Sequence, residues 1–253
     1  TTHDESTIAL SKFRNTLVTR GYQEAITYSF VDPKAQAIIH PQSNPLILPH
    51  PISIEMSAMR VSLMPGLLAS VAYNQNRQQP RIRLFEHGLK FISDDSAENG
   101  LQQVPVIGGV ITGLAHGEHW VEQKRNVDFY DLKGDVEALL AITNDTSRFE
   151  IKAEQSDGLH PGQSAVIYVE GKKVGFFGAL HPQVQKSLDI NNATFVFEIE
   201  MSAIEKRNLP QAVGVSKFPS NRRDIAILVA DSVNSGDILS TIEKVGENQL
   251  VYL

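Results

Sequence analysis

The sequence predicts an α+β fold, a mainly antiparallel sheet flanked by helices. Three observations predict it. Gly171–Ala203 (GKKVGFFGALHPQVQKSLDINNATFVFEIEMSA) reads as strand, His-Pro turn, helix, strand. Within it Phe195, Phe197 and Ile199 alternate with Val196, Glu198 and Glu200, the period of a half-buried strand. Two further segments, Ile82–Ile92 (IRLFEHGLKFI) and Leu101–Gly113, are strand-like, whereas Ser6–Arg20 and Asp128–Ile142 carry apolar residues at helical spacing.

Composition narrows the function classes. A chain of 253 residues, 42% hydrophobic, can bury a sizeable core. It has no cysteine, which excludes disulfides and thiolate metal sites and suits a reducing cytoplasm. No apolar run approaches the roughly 18 residues of a membrane span, so no membrane partner is expected. The start, TTHDESTIAL, has no signal-peptide core. A net charge of −6 argues against a free-standing, non-specific nucleic-acid binder.

In chain order, Ser6–Arg20 places Leu10, Phe13 and Leu17 on one helical face, with Gly21 as the stop. Ala25–Val31 reads as a strand with Ile26, Tyr28 and Phe30 on one side, and Asp32-Pro33 opens a short helix. Four prolines between Pro41 and Pro51 require irregular backbone. Pro65 starts a helix ending near Asn76, with Leu68, Val71 and Ala72 facing inward; Arg60 and Arg77 flank it as candidates for surface or interface ion pairs. Glu86 and His87 are adjacent on a strand and point to opposite faces, so they form no acid–base pair. His116-Gly117-Glu118-His119 reads as a solvated loop rather than a metal motif, with Trp120 as its anchor.

Asp128 caps a helix with Leu132, Val136, Leu139 and Leu140 as its buried stripe; Asp131, Asp135 and Glu137 read as its solvated face, and no metal is assigned. Phe149–Ala153 and Ser164–Glu170 bracket a tight loop at Leu159–Gln163, where His160 reads as a turn residue bonded to backbone. Glu170–Lys173 is a hairpin turn into the strand Lys173–Leu180, whose Gly175 and Gly178 admit close backbone. Residues 206–216 read as a linker. Lys217 and the run Phe218–Ala226, with Arg222 and Arg223, lead into a strand at Ile225–Ala230, a helix at Ser235–Val245 and a strand from Gln249.

Three segments carry a family resemblance. They are Met59-Arg60-Val61-Ser62-Leu63-Met64-Pro65-Gly66-Leu67-Leu68, then Tyr73-Asn74-Gln75-Asn76-Arg77, then Leu84-Phe85-Glu86-His87-Gly88; DFYDLKGDVEALL and LHPGQSA add to them. On these the chain is identified as resembling the β subunit of bacterial phenylalanyl-tRNA synthetase. The resemblance implies a class II synthetase-like core over residues 1–205 and, from 217 to 253, the first half of a ferredoxin-like anticodon-binding domain, truncated where the chain stops. It also implies an enzyme of two α and two β subunits that attaches phenylalanine to tRNA(Phe) with ATP and magnesium. The expected partners are therefore the catalytic α subunit and tRNA(Phe).

In the same register the core has lost its chemistry. The glycines of motif 3 fall at Glu198 and Glu200, its ATP-binding arginine at Ala203, and the arginine of motif 2 near Ile92. Carboxylates and apolar side chains neither admit a nucleotide against bare backbone nor meet phosphate charge. No catalytic residue and no bound cofactor are expected here, Lys217, Arg222 and Arg223 are candidate tRNA contacts, and Arg60 and Arg77 candidate partner contacts. The alternatives from other classes are a stand-alone RNA-binding module and a chain that is itself an ATP-dependent ligase.

Overall fold

A computed structural model describes residues 4–97, 100–121, 123–212, 214, 217, 219, 221–246 and 250. The chain divides into two units, Thr1–Pro210 and Gln211–Leu253.

The first unit is built on a seven-stranded sheet. In spatial order its strands are β1 (Gln23–Glu24), β4 (Arg81–Ser93), β5 (Leu101–Gly113), β9 (Thr194–Glu200), β8 (Lys172–Leu180), β7 (Leu159–Val169) and β6 (Phe149–Ala153). Only the short β1–β4 pair is parallel. β4 and β5 pair without a slip from Arg81↔Gly113 to Ser93↔Leu101. β2 (Phe30–Val31) and β3 (Ala58–Met59) form a separate small ladder.

Helices cover both faces. On one, α1 (Leu10–Thr19) and α4 (Phe129–Ala141) press Phe13, Leu17, Leu132, Val136 and Leu139 onto Phe85, Ile107, Phe197 and Ile199. On the other, α3 (Met64–Gln75) seats Leu67, Leu68 and Val71 against Ile82, Val106, Val110 and Val196. A strand with helices on both sides buries alternate residues in both directions, so β9 is enclosed on both faces and not half-buried as its alternation suggested. The apolar stripes of α1 and α3 are likewise core.

Local chemistry explains the element ends. Gly21 closes α1 at φ +83°, and Glu170 (φ +51°) with Gly171 (φ +76°) gives the β7–β8 hairpin the two left-handed residues of a type I′ turn. Asp32 caps α2 (Pro33–Ile39), and Asp128 with Asp131 forms a reciprocal capping box on α4. α5 (Pro182–Ser187) begins at the His-Pro turn, and α6 (Met201–Ile204) follows β9 directly. A Cβ on Gly175 would stand 2.7 Å from the Glu198 carbonyl oxygen, and one on Gly178 2.5 Å from that of Gln163. Both glycines are set by close backbone, as expected.

Several expectations are corrected. Ala25–Val31 is not one strand: Ala25 still bonds to Phe85, Ile26 and Tyr28 are exposed, and Phe30–Val31 join the small ladder. Leu159–Gln163 is the irregular start of β7, with a register shift before Ser164, although His160 Nδ1 does accept the N–H of Gly162 at 3.0 Å. Trp120 anchors nothing within the described residues; it is 92% exposed.

In the second unit α7 (Ser235–Gly246) is a helix. The strand expected at Ile225–Ala230 is not formed: these residues are exposed and have no regular secondary structure, since a strand needs a ladder partner and none lies alongside among the described residues. The strand expected from Gln249 lies outside the described residues, Leu250 excepted.

Candidate functional site

The α3-side face of the sheet carries two buried ionic groups. Side-chain alternation turns Glu198 and Glu200 of β9 to this face, and Glu86, Gly88 and Lys90 of β4 to the same face. Glu198 is 3% exposed. Its Oε2 accepts the Leu63 N–H at 2.7 Å, just before α3 begins. Lys90 Nζ lies 3.6 Å from Glu198 Oε1 and 3.2 Å from Glu200 Oε1. Burial raises the Glu198 carboxyl above the ordinary range, and the opposing pull of Lys90 is smaller.

The second group centres on Arg60, which leaves β3 and is 3% exposed. Its guanidinium donates to Glu86 Oε1 at 2.7 Å, to the Leu89 carbonyl at 2.8 Å and to Thr27 Oγ1 at 3.1 Å, while Thr27 Oγ1 donates to Glu86 Oε2 at 2.7 Å. Gly88 makes room: a Cβ there would collide with an Arg60 terminal nitrogen. The expectation of a partner contact at Arg60 is therefore corrected, since its guanidinium is consumed inside its own chain. Arg77 is exposed, lying 3.3 Å over the Tyr73 ring centroid.

A cavity of about 370 Å³ opens beside Lys90, Glu198 and Glu200, with Phe176, Lys173, His40 and Asp157 among the residues of its wall. His40 brings an unexpected constellation. Its Nε2 is 2.7 Å from Ser62 Oγ and its Nδ1 4.0 Å from Asp157 Oδ2. The residue types are those of a serine hydrolase, but the chemistry does not follow. Ser62 is 2% exposed, the carboxylate is beyond hydrogen-bond distance, and burial lowers the His40 pKa from 6.5 to about 4, a poor base at neutral pH.

Of the lost-motif positions, Glu198 and Glu200 converge on Lys90; Ile92 lies two residues beyond Lys90 on β4, and Ala203 sits on α6, apart from the cavity wall. Lys217, Arg222 and Arg223 lie in the second unit and are exposed. Among the described residues, no group of three or more His, Asp or Glu side chains is arranged to hold a metal ion.

A third group, on the opposite face, escaped the sequence reading. Asp135 is buried, not solvated: it accepts from Tyr22 Oη at 2.7 Å and from Arg20 and Arg83 at 2.9 Å each. Helical spacing could have flagged it, because Asp135 falls between Leu132, Val136 and Leu139 on the apolar stripe.

Comparison with known proteins points to one family. The family profile described as "Phenylalanyl tRNA synthetase beta chain CLM domain" matches residues 1–201. The phenylalanine–tRNA ligase beta subunit of Pseudoalteromonas translucida (strain TAC 125) is 89% identical over 253 residues, all of this chain and 32% of that protein. Its counterpart in Yersinia pestis is 53% identical over 251 residues, 99% of this chain and 32% of that protein. The chain thus spans about a third of the length of these relatives. Among solved structures, a pyrrolysyl tRNA synthetase from Desulfitobacterium hafniense superposes with a TM-score of 0.55 at 14% identity, over 79% of this chain and 67% of that one, a likeness of fold. By the profile that matches residues 1–201, the chain belongs to the phenylalanyl-tRNA synthetase beta chain CLM domain family.

Proposed function

We propose that this chain is a non-catalytic, class II synthetase-like core of a phenylalanine–tRNA ligase β subunit, followed by the start of a ferredoxin-like domain. The whole enzyme, two α and two β subunits, attaches phenylalanine to tRNA(Phe) with ATP and magnesium, and this region supports assembly with the α subunit and the holding of tRNA. Residues 1–205 are the core, 206–216 the linker and 217–253 the partial domain. A cytoplasmic location follows from the same reading, because charged tRNA feeds protein synthesis.

The observation that carries the reading is the pair Glu198 and Glu200 on the sheet face where a class II core holds its nucleotide. Carboxylates stand there in place of bare glycine backbone, and the nearest cations, Lys90 and Lys172, are already paired with them. Neither Ile92 nor Ala203 supplies the missing guanidinium. The residues present do not fit ATP.

A partner surface is supported by exposed apolar groups. Ile26 is 93% exposed and Tyr28 is exposed too, on either side of Thr27. Thr27 packs on Gly66 of α3; Tyr73 stands further along that helix, with Arg77 just past its end. Lys217, Arg222 and Arg223 are the proposed tRNA contacts of the second unit.

Size-exclusion chromatography with light scattering, on this chain alone and mixed with the α subunit of its own species, tests the assembly role. Co-elution as a stable complex is expected. ATP–pyrophosphate exchange by the isolated chain would overturn the non-catalytic reading.

A further inference from the structure

We propose that Arg20, Arg81 and Arg83, together with the Trp120 arm rooted beside them, form a docking site in the first unit for an RNA backbone phosphate and an adjacent unstacked base. The proposal rests on the tRNA-ligase reading above and adds to it a second, separate RNA contact.

The charge balance is the first observation. Three guanidinium groups gather around a single carboxylate, Asp135, whose oxygens are already taken by Tyr22, Arg20 and Arg83. Arg83 also donates to the Arg20 carbonyl at 3.3 Å and leaves its buried Nε without a hydrogen-bond partner. Arg81 has no carboxylate within ion-pair distance among the described residues. Its terminal nitrogens lie over Gly21, where a Cβ would stand 2.8 Å from one of them. Three cations against one anion leave excess positive charge on a chain of net charge −6; Arg83 and Asp135 are buried, so Arg20 and the half-buried Arg81 carry it to the surface. A phosphate oxyanion offers planar guanidinium groups the geometry they match best.

The second observation is independent. Arg81 Nε donates to the Ala115 carbonyl at 3.4 Å, at the root of an arm closed by Ala115 N–H to Arg125 O and by the Leu114↔Asn126 bridge. The arm carries Trp120, 92% exposed, with His119 stacked on it at 5.8 Å between ring centroids and 21° between planes. At 92% exposure the indole is open to solvent and available to a base. An exposed aromatic plane on an arm whose root bonds a guanidinium combines the two groups that single-stranded and loop RNA uses, the backbone on the cation and the base on the ring. Lys124 is paired to Glu118 and Arg125 to Asp131, so the cation offered to phosphate is Arg81 and not the arm itself.

Trp120 is the chain's one tryptophan, which makes it the reporter. The 253-residue chain is titrated with an unmodified tRNA transcript at several salt concentrations, following Trp120 fluorescence and filter binding. Binding with quenching is expected. Arg81→Gln should weaken it and flatten the log Kd against log salt slope by about 0.7–0.9, one phosphate contact, while Arg81→Lys should keep the slope. Trp120→Ala should weaken binding roughly tenfold with the slope unchanged.

No binding at low salt, or binding with unchanged Trp120 fluorescence, would overturn the proposal. If tRNA binding survives both variants and falls only on charge reversal of Arg222 and Arg223, this site fails and the tRNA-ligase reading stands. If the variants instead abolish co-elution with the α subunit while tRNA binding is unchanged, the patch is a protein contact. Binding of inorganic phosphate without RNA binding would overturn the RNA reading and assign the cluster to a small free anion.

Discussion

His40 gives the sharpest test of the structure around the cavity. Burial holds its folded pKa at about 4, against 6.5 in the unfolded chain. A lowered folded pKa means that the unfolded chain binds more protons between these values, so stability is complete above pH 6.5 and is lost as pH falls towards 4. By pH 5 the unfolded histidine holds nearly a full proton, up from about a quarter at pH 7, and the folded one holds about a tenth. Integrating that difference gives a loss of about 2 kcal/mol, out of about 3.4 kcal/mol over the whole window. Other titrating groups are removed by comparison with His40→Gln, whose amide can still reach Ser62 Oγ but cannot titrate. Urea unfolding followed by far-ultraviolet circular dichroism is the suitable assay, because Trp120 is exposed in the folded chain and reports little on unfolding. Wild type should lose about 2 kcal/mol more than His40→Gln between pH 7 and pH 5. Equal losses in the two proteins would refute the claim that His40 is held neutral by burial.

Further outcomes follow from the same contacts. Arg60→Ala should destabilise by about 3–5 kcal/mol, measured by denaturant unfolding, because it strands Glu86 without its cation; Arg60→Met with Glu86→Leu should recover much of that loss, and equal damage from single and double variants would argue against the pair. Gly175→Ala should cost about 1–3 kcal/mol, since the added methyl meets the backbone carbonyl of Glu198 rather than a movable side chain; an unchanged thermal midpoint would show that β8 and β9 can separate there. The emission of Trp120 in the isolated chain should be that of a water-exposed indole and fully open to acrylamide quenching, and a blue-shifted, protected signal would refute the exposed arm.

Much of the fold was legible. The α1 and α4 stripes, the caps at Asp32 and Asp128, the proline-started helices and the close-packed Gly175 and Gly178 all follow from spacing and local backbone chemistry. The errors share a cause. Ala25–Val31 alternates like a strand, yet its neighbours assign its two ends to different sheets. Ile225–Ala230 has strand composition but no ladder partner. Asp135 looks like one more surface carboxylate until Tyr22, Arg20 and Arg83 arrive, the last from 52 residues away.

By itself the sequence determined the α+β class and the family, because those are properties of residue types at fixed spacings along one segment. Only the tertiary structure decided which charges are spent and which are available. Arg60 and Arg77 look equivalent as flanks of α3, but the absent side chain at Gly88 lets Arg60 reach Glu86 and vanish from the surface, while Arg77 stays outside on Tyr73. Arg81 and Arg83 stand two residues apart on β4, yet only Arg83 meets Asp135. Charge compensation depends on groups far apart in sequence and close in space, and periodicity along a chain carries no record of it.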